Sequence, residues 1–163
     1  HSYQLLLGVS VPDRVCRAAL HHHERLDGSG YPEGLKGDEI SPLAQLVAIA
    51  DVYDAMVSPR PYREAHSPLE ALEELLQGMF ERFNPAICMK LADRLKDLLL
   101  GATIVLDDGR EGVIRQFPHS LSPRPLLELP EGVYLDLDRE PELGVAAIRG
   151  LQGTWGSRDR VES

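Results

Sequence analysis

At Gly101 the apolar residues change their period, and that change limits the fold more than any other feature of the chain. Before it, apolar positions recur at three- and four-residue spacing, as on one face of a helix. After it, "ATIVLDDGREGVIRQF" sets two apolar runs on either side of Asp108-Gly109, a strong short hairpin signal. "PLLELP", "VYLDLD" and "GVAAI" add three more short strand-like runs, with Pro and Gly between them. The sequence therefore predicts a mainly α part over 1–100, a small all-β module of about five short strands over 101–150, and a polar tail over 151–163 that frays.

The helical part has clear punctuation. "VPDRVCRAALHHHERL" carries Val15, Ala18 and Ala19 on one side, so a helix is expected to bear the histidines near its C-terminal end. Gly28, Gly30, Pro32, Gly34 and Gly37 break it into a long loop. Ser41 is placed to cap the next helix, with Pro42 at its first position. Leu43, Leu46, Val47 and Ala50 follow at helical spacing and are expected to face the core. Ser67 and Glu70 form a capping box for a third helix reaching about Gln77. A fourth opens at Asn84-Pro85 and runs to about Leu100, with Ile87, Leu91, Leu95 and Leu98 or Leu99 inward.

The 163 residues carry a formal charge of −9, which argues against broad binding to a nucleic acid polymer, since that needs a basic surface. A small anionic ligand held by a few arginines remains compatible with that charge. No apolar run approaches the roughly 18 residues of a membrane span, and no secretory signal opens the chain. Cys16 and Cys88 sit in apolar helical patterns and read as buried thiols of a cytoplasmic protein. The first residue is His, not Met, so the chain is expected to be a piece of something longer.

Three segments carry potential chemistry. His22 and His23 are adjacent, and neighbours on a helix point about 100° apart. They serve one site only if they approach different metals of a cluster or if the helix end distorts; a solvated histidine run is the plainer alternative. Asp51 and Asp54 share the side of Leu43, Leu46, Val47 and Ala50. A carboxylate on a core-facing stripe must be paired or bind a cation; a turned helix that brings the acids to solvent, or pairing with Arg60 or Arg63, fits as well as metal ligation. Arg60 and Arg63, three apart, suit phosphate oxygens. By themselves they read more simply as surface ion-pairing residues.

"HHERLDGSGYPEGLKGDEI" followed by "AIADVYDAMVSPRPYR" resembles the HD-GYP family, bacterial metal-dependent phosphodiesterases that hydrolyse the second messenger cyclic di-GMP. His22, His23, Glu24, Asp27, Gly28, Gly30, Tyr31 and Pro32 match one family string, and Asp51, Asp54, Ala55, Arg60, Pro61, Tyr62 and Arg63 match the other. "FNPAI" resembles the family's Phe-Asp-Pro with Asn84 in the acid's place, a change read as neutral because Asn caps a helix as well as Asp. The likeness covers most of residues 3–100, and the β segment is similar to extensions found on some members.

The resemblance implies a residue-by-residue site. His22, His23 and Asp51 would ligate a divalent metal, iron or manganese, with two or three ions in an intact domain. Tyr31, Arg60 and Arg63 would contact the nucleotide, the arginines at its phosphates. Glu24, Asp27, Gly28, Gly30, Pro32 and Asp54 would shape the loop or support the ligands. His21 lies outside the string. The family's His-Asp pair and further ligands have no match here, and His1 stands only 21 residues before His22, too near for the missing histidine. The implied function is cyclic di-GMP hydrolysis to the linear dinucleotide or GMP, with this chain a truncated form that holds part of the active site and is expected to be inactive alone. The alternative is a non-catalytic module that binds cyclic di-GMP or a diguanylate cyclase-type signalling protein. Apolar faces left bare would favour a homodimer.

Overall fold

The structure, a computed structural model, describes residues 11–59 and 66–150. The expectations for His1, Arg60, Pro61, Tyr62, Arg63 and the 151–163 tail fall outside these residues. Helix α1 spans Asp13–His21, α2 Pro42–Val57, α3 Pro68–Gly78 and α4 Pro85–Leu99. The strands are β1 Thr103–Leu106, β2 Glu111–Gln116, β3 Leu126–Glu128, β4 Tyr134–Asp136 and β5 Val145–Arg149. A mainly α part is thus followed by five short strands, as the change of period at Gly101 predicts. The described residues divide into two compact units between Ala92 and Asp93, within α4.

In the first unit the caps stand where the sequence put them. The Ser41 hydroxyl accepts from Ala44 N at the start of α2. At α3, Ser67 Oγ accepts from Glu70 N, and the Glu70 carboxylate accepts from Ser67 N at 2.7 Å. Asn84 Oδ1 accepts from Ala86 N and Ile87 N to open α4.

The burial of α2 reverses the sequence reading. Ala44, Gln45, Ala48, Ile49, Tyr53 and Met56 are buried, and the helix packs against α1 and α3. Leu43, Leu46 and Val47 are exposed, as are Ala50, Asp51 and Asp54. Small Ala44 and Ala48 let the neighbouring backbones come close, and Ala18 of α1 meets Ala44 beside Ile40, with Leu26 and Leu35 closing the cluster. In α4 the buried stripe is Cys88, Ala92, Leu95 and Leu99; Ile87 and Leu91 are half-buried and Leu98 is exposed. Cys16 and Cys88 are buried free thiols, and burial pushes the Cys88 thiol up to about 11.

In the second unit Gly101 ends α4 with φ 81°, a left-handed conformation that favours glycine and stops a helix. Its N–H already donates to Ile114 O, so the chain passes from helix to sheet within one residue. The sheet is antiparallel with order β4-β3-β2-β1-β5. Ile104 pairs with Ile148 in register, and Ile114 with Leu127. Ile104, Leu106, Ile114, Leu127 and Leu137 supply the buried core. Two buried or half-buried cations complete it. Lys96 Nζ donates to His119 O and Ser120 O over the Phe117 ring. Arg124 donates to the carbonyls of Leu137, Glu140 and Leu143, pinning the β4–β5 connection.

Candidate metal centre

Helix α1 stops at His21, and His22 is its C-cap. The regular geometry that would aim His22 and His23 about 100° apart therefore ends before it applies. The two rings tilt together with centroids 4.0 Å apart. Asp51, exposed on α2, joins them: one ligand atom from each of His22, His23 and Asp51 lies within 4.8 Å of the others. Among the described residues this is the one group of three or more such side chains. It gathers on the outward face of α2, so a core-facing stripe is not what places the acid there.

The donor set fits a divalent cation. His22 Nδ1 lies 2.9 Å from Ala19 O. A carbonyl only accepts, so Nδ1 is the donor there, and in the neutral ring that tautomer leaves the Nε2 lone pair for a metal. Burial, the neighbouring His22 and Arg25 hold His23 below the usual imidazole range, against an opposing pull from Asp51. A neutral ring is the form a cation binds. Two imidazoles and a carboxylate suit Mn, Fe or Zn better than the all-oxygen cages of Ca.

The loop after the histidines is built around one buried carboxylate. Glu24 is 2% exposed. Its Oε1 accepts from Glu33 N at 2.7 Å and Gly34 N at 3.2 Å, and its Oε2 from Leu35 N at 3.1 Å. Those bonds fold residues 25–35 back onto the end of α1. Gly30 meets that end directly: a Cβ there would stand 2.5 Å from His23 O and from Arg25 N, so backbone fills the space a side chain needs. Tyr31 N donates to His23 O, and the Tyr31 ring stacks on His23 at 4.7 Å with 61% of the residue exposed. Asp27 is exposed and accepts from Ser29 N and Ser29 Oγ, bonds that lower its pKa. Pro32 is exposed. Asp54 accepts from Ser58 Oγ at the end of α2.

The structure thus brings His22, His23, Asp51 and Tyr31 to one place, with Glu24 and Gly30 beneath the loop. Asp27 and Asp54 act on their own turns. His21 points elsewhere: its Nε2 is buried without a hydrogen bond, 3.5 Å from Glu33 Oε2. Two residues the sequence reading passed over belong to the surroundings. Arg25 donates to the His22 and Glu24 carbonyls, and its signal was a lone cation inside the motif string. Gln45 links Ile40 O to Asn84, and its signal was a polar residue among the apolar ones of α2.

The profile of a family described as the HD domain matches residues 1–87. A cyclic di-GMP phosphodiesterase of Pseudomonas aeruginosa is 39% identical over 100 residues, 61% of this chain and 24% of that protein. The cyclic di-GMP phosphodiesterase response regulator RpfG of Xanthomonas campestris is 52% identical over 67 residues, 41% of this chain and 18% of that protein. A 3′3′-cGAMP-specific phosphodiesterase of Vibrio cholerae is 38% identical over 85 residues, 52% of this chain and 18% of that protein. The matched stretch spans a quarter or less of the length of these relatives.

Proposed function

The chain belongs to the HD-domain family, in its HD-GYP form, and from that premise we propose that it contributes to the active site of a metal-dependent cyclic di-GMP phosphodiesterase. The family implies a divalent metal. The observation that supports the site is the convergence of His22, His23 and Asp51 within 4.8 Å beneath the exposed Tyr31 ring. We assign those three side chains as ligands, iron or manganese as the metal, and two or three ions to an intact domain.

Bound there, a divalent cation supplies Lewis-acid polarisation of a phosphoryl oxygen and makes water a competent nucleophile near neutral pH. The protein's own groups do the rest. His22 and His23 present imidazole nitrogens, and Asp51 supplies a carboxylate. Tyr31 offers a flat exposed ring on which a guanine base stacks. Arg60 and Arg63 take the phosphates in this reading, on the strength of their spacing alone. Glu24, Gly30, Gly28 and Pro32 keep the loop folded against α1, Asp27 braces the loop's own turn, and Asp54 braces the end of α2. The helical part over 1–100 is the catalytic portion and 101–150 an appended module. A diguanylate cyclase-type partner, a cytoplasmic setting and pairing of two chains through the bare Leu43, Leu46 and Val47 belong to the same proposal; no helix among the described residues is long and apolar enough to cross a membrane.

The test is chromatographic. The protein is incubated with Mn²⁺ or Fe²⁺ and either cyclic di-GMP or 3′3′-cGAMP. Conversion of cyclic di-GMP to the linear dinucleotide or GMP, lost in Asp51→Asn, supports the proposal. Cyclic di-GMP binding that survives a chelator, without turnover, would move the assignment to a non-catalytic binding module. Turnover of 3′3′-cGAMP alone would contradict the substrate.

A further inference from the structure

We propose that Arg25 is the positioning residue that holds His22 and His23 in their common orientation; this rests on the reading of those histidines as ligands. The backbone just past α1 explains why. A helix end leaves carbonyls without partners. Three successive ones follow His21 here, and each is taken. His23 O accepts from Tyr31 N at 3.4 Å. His22 O and Glu24 O, on either side of it, accept from a single nitrogen, Arg25 Nη1, at 3.2 and 2.9 Å. One amino group of the guanidinium has two hydrogens, so it serves both carbonyls at once.

That clamp is anchored to the core. The guanidinium carbon lies 5.2 Å from the centroid of the buried Phe83 ring. The next residue, Leu26, donates its N–H to Arg82 O at 3.1 Å. The turn His22–Glu24 is therefore fixed against the α3–α4 connection through Arg25, and the His23 side chain leaves from the middle of it. The arginine donates to the backbone carbonyls and to neither ring, so its hold on the orientation of the two side chains is exerted through the backbone. A lysine retains the donors and loses the planar stacking on Phe83.

The experiment uses the full chain with Arg25→Ala, Arg25→Lys and Arg25→Gln. Mn²⁺ affinity is measured by calorimetry, and the His23 ring resonances are followed by NMR in the metal-free protein. Loss of an outer partner of a ligand weakens metal binding about 10- to 100-fold. Arg25→Ala is expected in that range, with Arg25→Lys between it and the parent, and with His23 signals that shift as the Tyr31 stacking loosens while helical circular dichroism is kept. Mn²⁺ affinity within twofold of the parent, with unshifted His23 signals, overturns the proposal. If Arg25→Ala does not fold, Arg25→Lys and Arg25→Gln are judged by the same two readings. If His22→Ala leaves Mn²⁺ binding untouched, the ligand assignment itself has failed. The metal-free His23 signals then decide the role of Arg25 alone: shifted signals support it and unshifted ones overturn it.

Discussion

Glu24 is the most deeply buried charged residue among the described residues. A carboxylate that is 2% exposed needs partners, and it has three backbone N–H donors from Glu33, Gly34 and Leu35. Glu24→Gln keeps the shape and removes one acceptor. The amide oxygen can serve Glu33 and Gly34, but the amide NH₂ then faces the Leu35 N–H, donor against donor. An unsatisfied buried donor costs about 1–3 kcal/mol. Urea unfolding is expected to show a loss of that size, and a change under about 0.5 kcal/mol, the ordinary scatter of surface substitutions, would contradict the role. The motif string made Glu24 visible in the sequence. Its partners were not visible, because they are backbone groups nine to eleven residues away, positioned by a loop whose path no local periodicity encodes. Arg25 was hidden although its acceptors are only three and one residues away, because no local periodicity encodes the turn that presents those carbonyls to it.

Among the elements, α2 separates what a periodic pattern reveals from what it conceals. "PLAQLVAIADVYDAMV" is apolar on nearly every side. Leu43, Leu46 and Val47 outweigh Ala44, Ala48 and Ile49 on any hydrophobicity scale, and so the sequence pointed the wrong face inward. Close helix packing favoured the small residues. The caps, by contrast, depend on one or two residues and were legible throughout. Asn84 shows how a cap can also be more than a cap. Its Oδ1 opens α4 as Asp would, but its Nδ2 donates to Gln45 Oε1 at 2.9 Å, while Gln45 Nε2 donates to Ile40 O at 2.7 Å. With Asp at 84 one of these pairs becomes acceptor against acceptor, whichever way the Gln45 amide turns. The helix dipole returns about 0.3–1 kcal/mol to an acidic cap, and the broken buried pair costs about 1–3 kcal/mol. Asn84→Asp is therefore expected to destabilise by about 1 kcal/mol, and the loss should vanish when Gln45 is replaced by Leu. A neutral or stabilising Asn84→Asp in denaturant titration would show that the substitution reading based on capping alone was sufficient.

At the scale of the molecule, two units are built on different principles. The helical unit places its candidate ligands on exposed and half-buried surfaces, His22 and His23 just past α1 and Asp51 along α2. The sheet unit buries its polar chemistry: Lys96 serves two carbonyls of the β2–β3 connection and Arg124 three of the β4–β5 connection. The five strands were readable because alternation and turn residues are local signals. The buried cations were not, since Lys96 lies 23 and 24 residues from its acceptors. Lys96→Ala leaves two carbonyls unpaired, a cost of about 2–3 kcal/mol. Amide hydrogen exchange is expected to accelerate about 30-fold or more across β1, β2 and β3, with Mn²⁺ affinity within twofold of the parent. Unchanged exchange in the sheet would deny Lys96 its structural part.

Whether His22, His23 and Asp51 hold a metal together decides what the molecule does. Electron paramagnetic resonance of Mn²⁺ titrated into the full chain measures this directly. The prediction is saturable binding that His22→Ala, His23→Ala and Asp51→Asn each weaken at least tenfold, while His21→Ala leaves it unchanged. Mn²⁺ binding indifferent to all three ligand substitutions would contradict it.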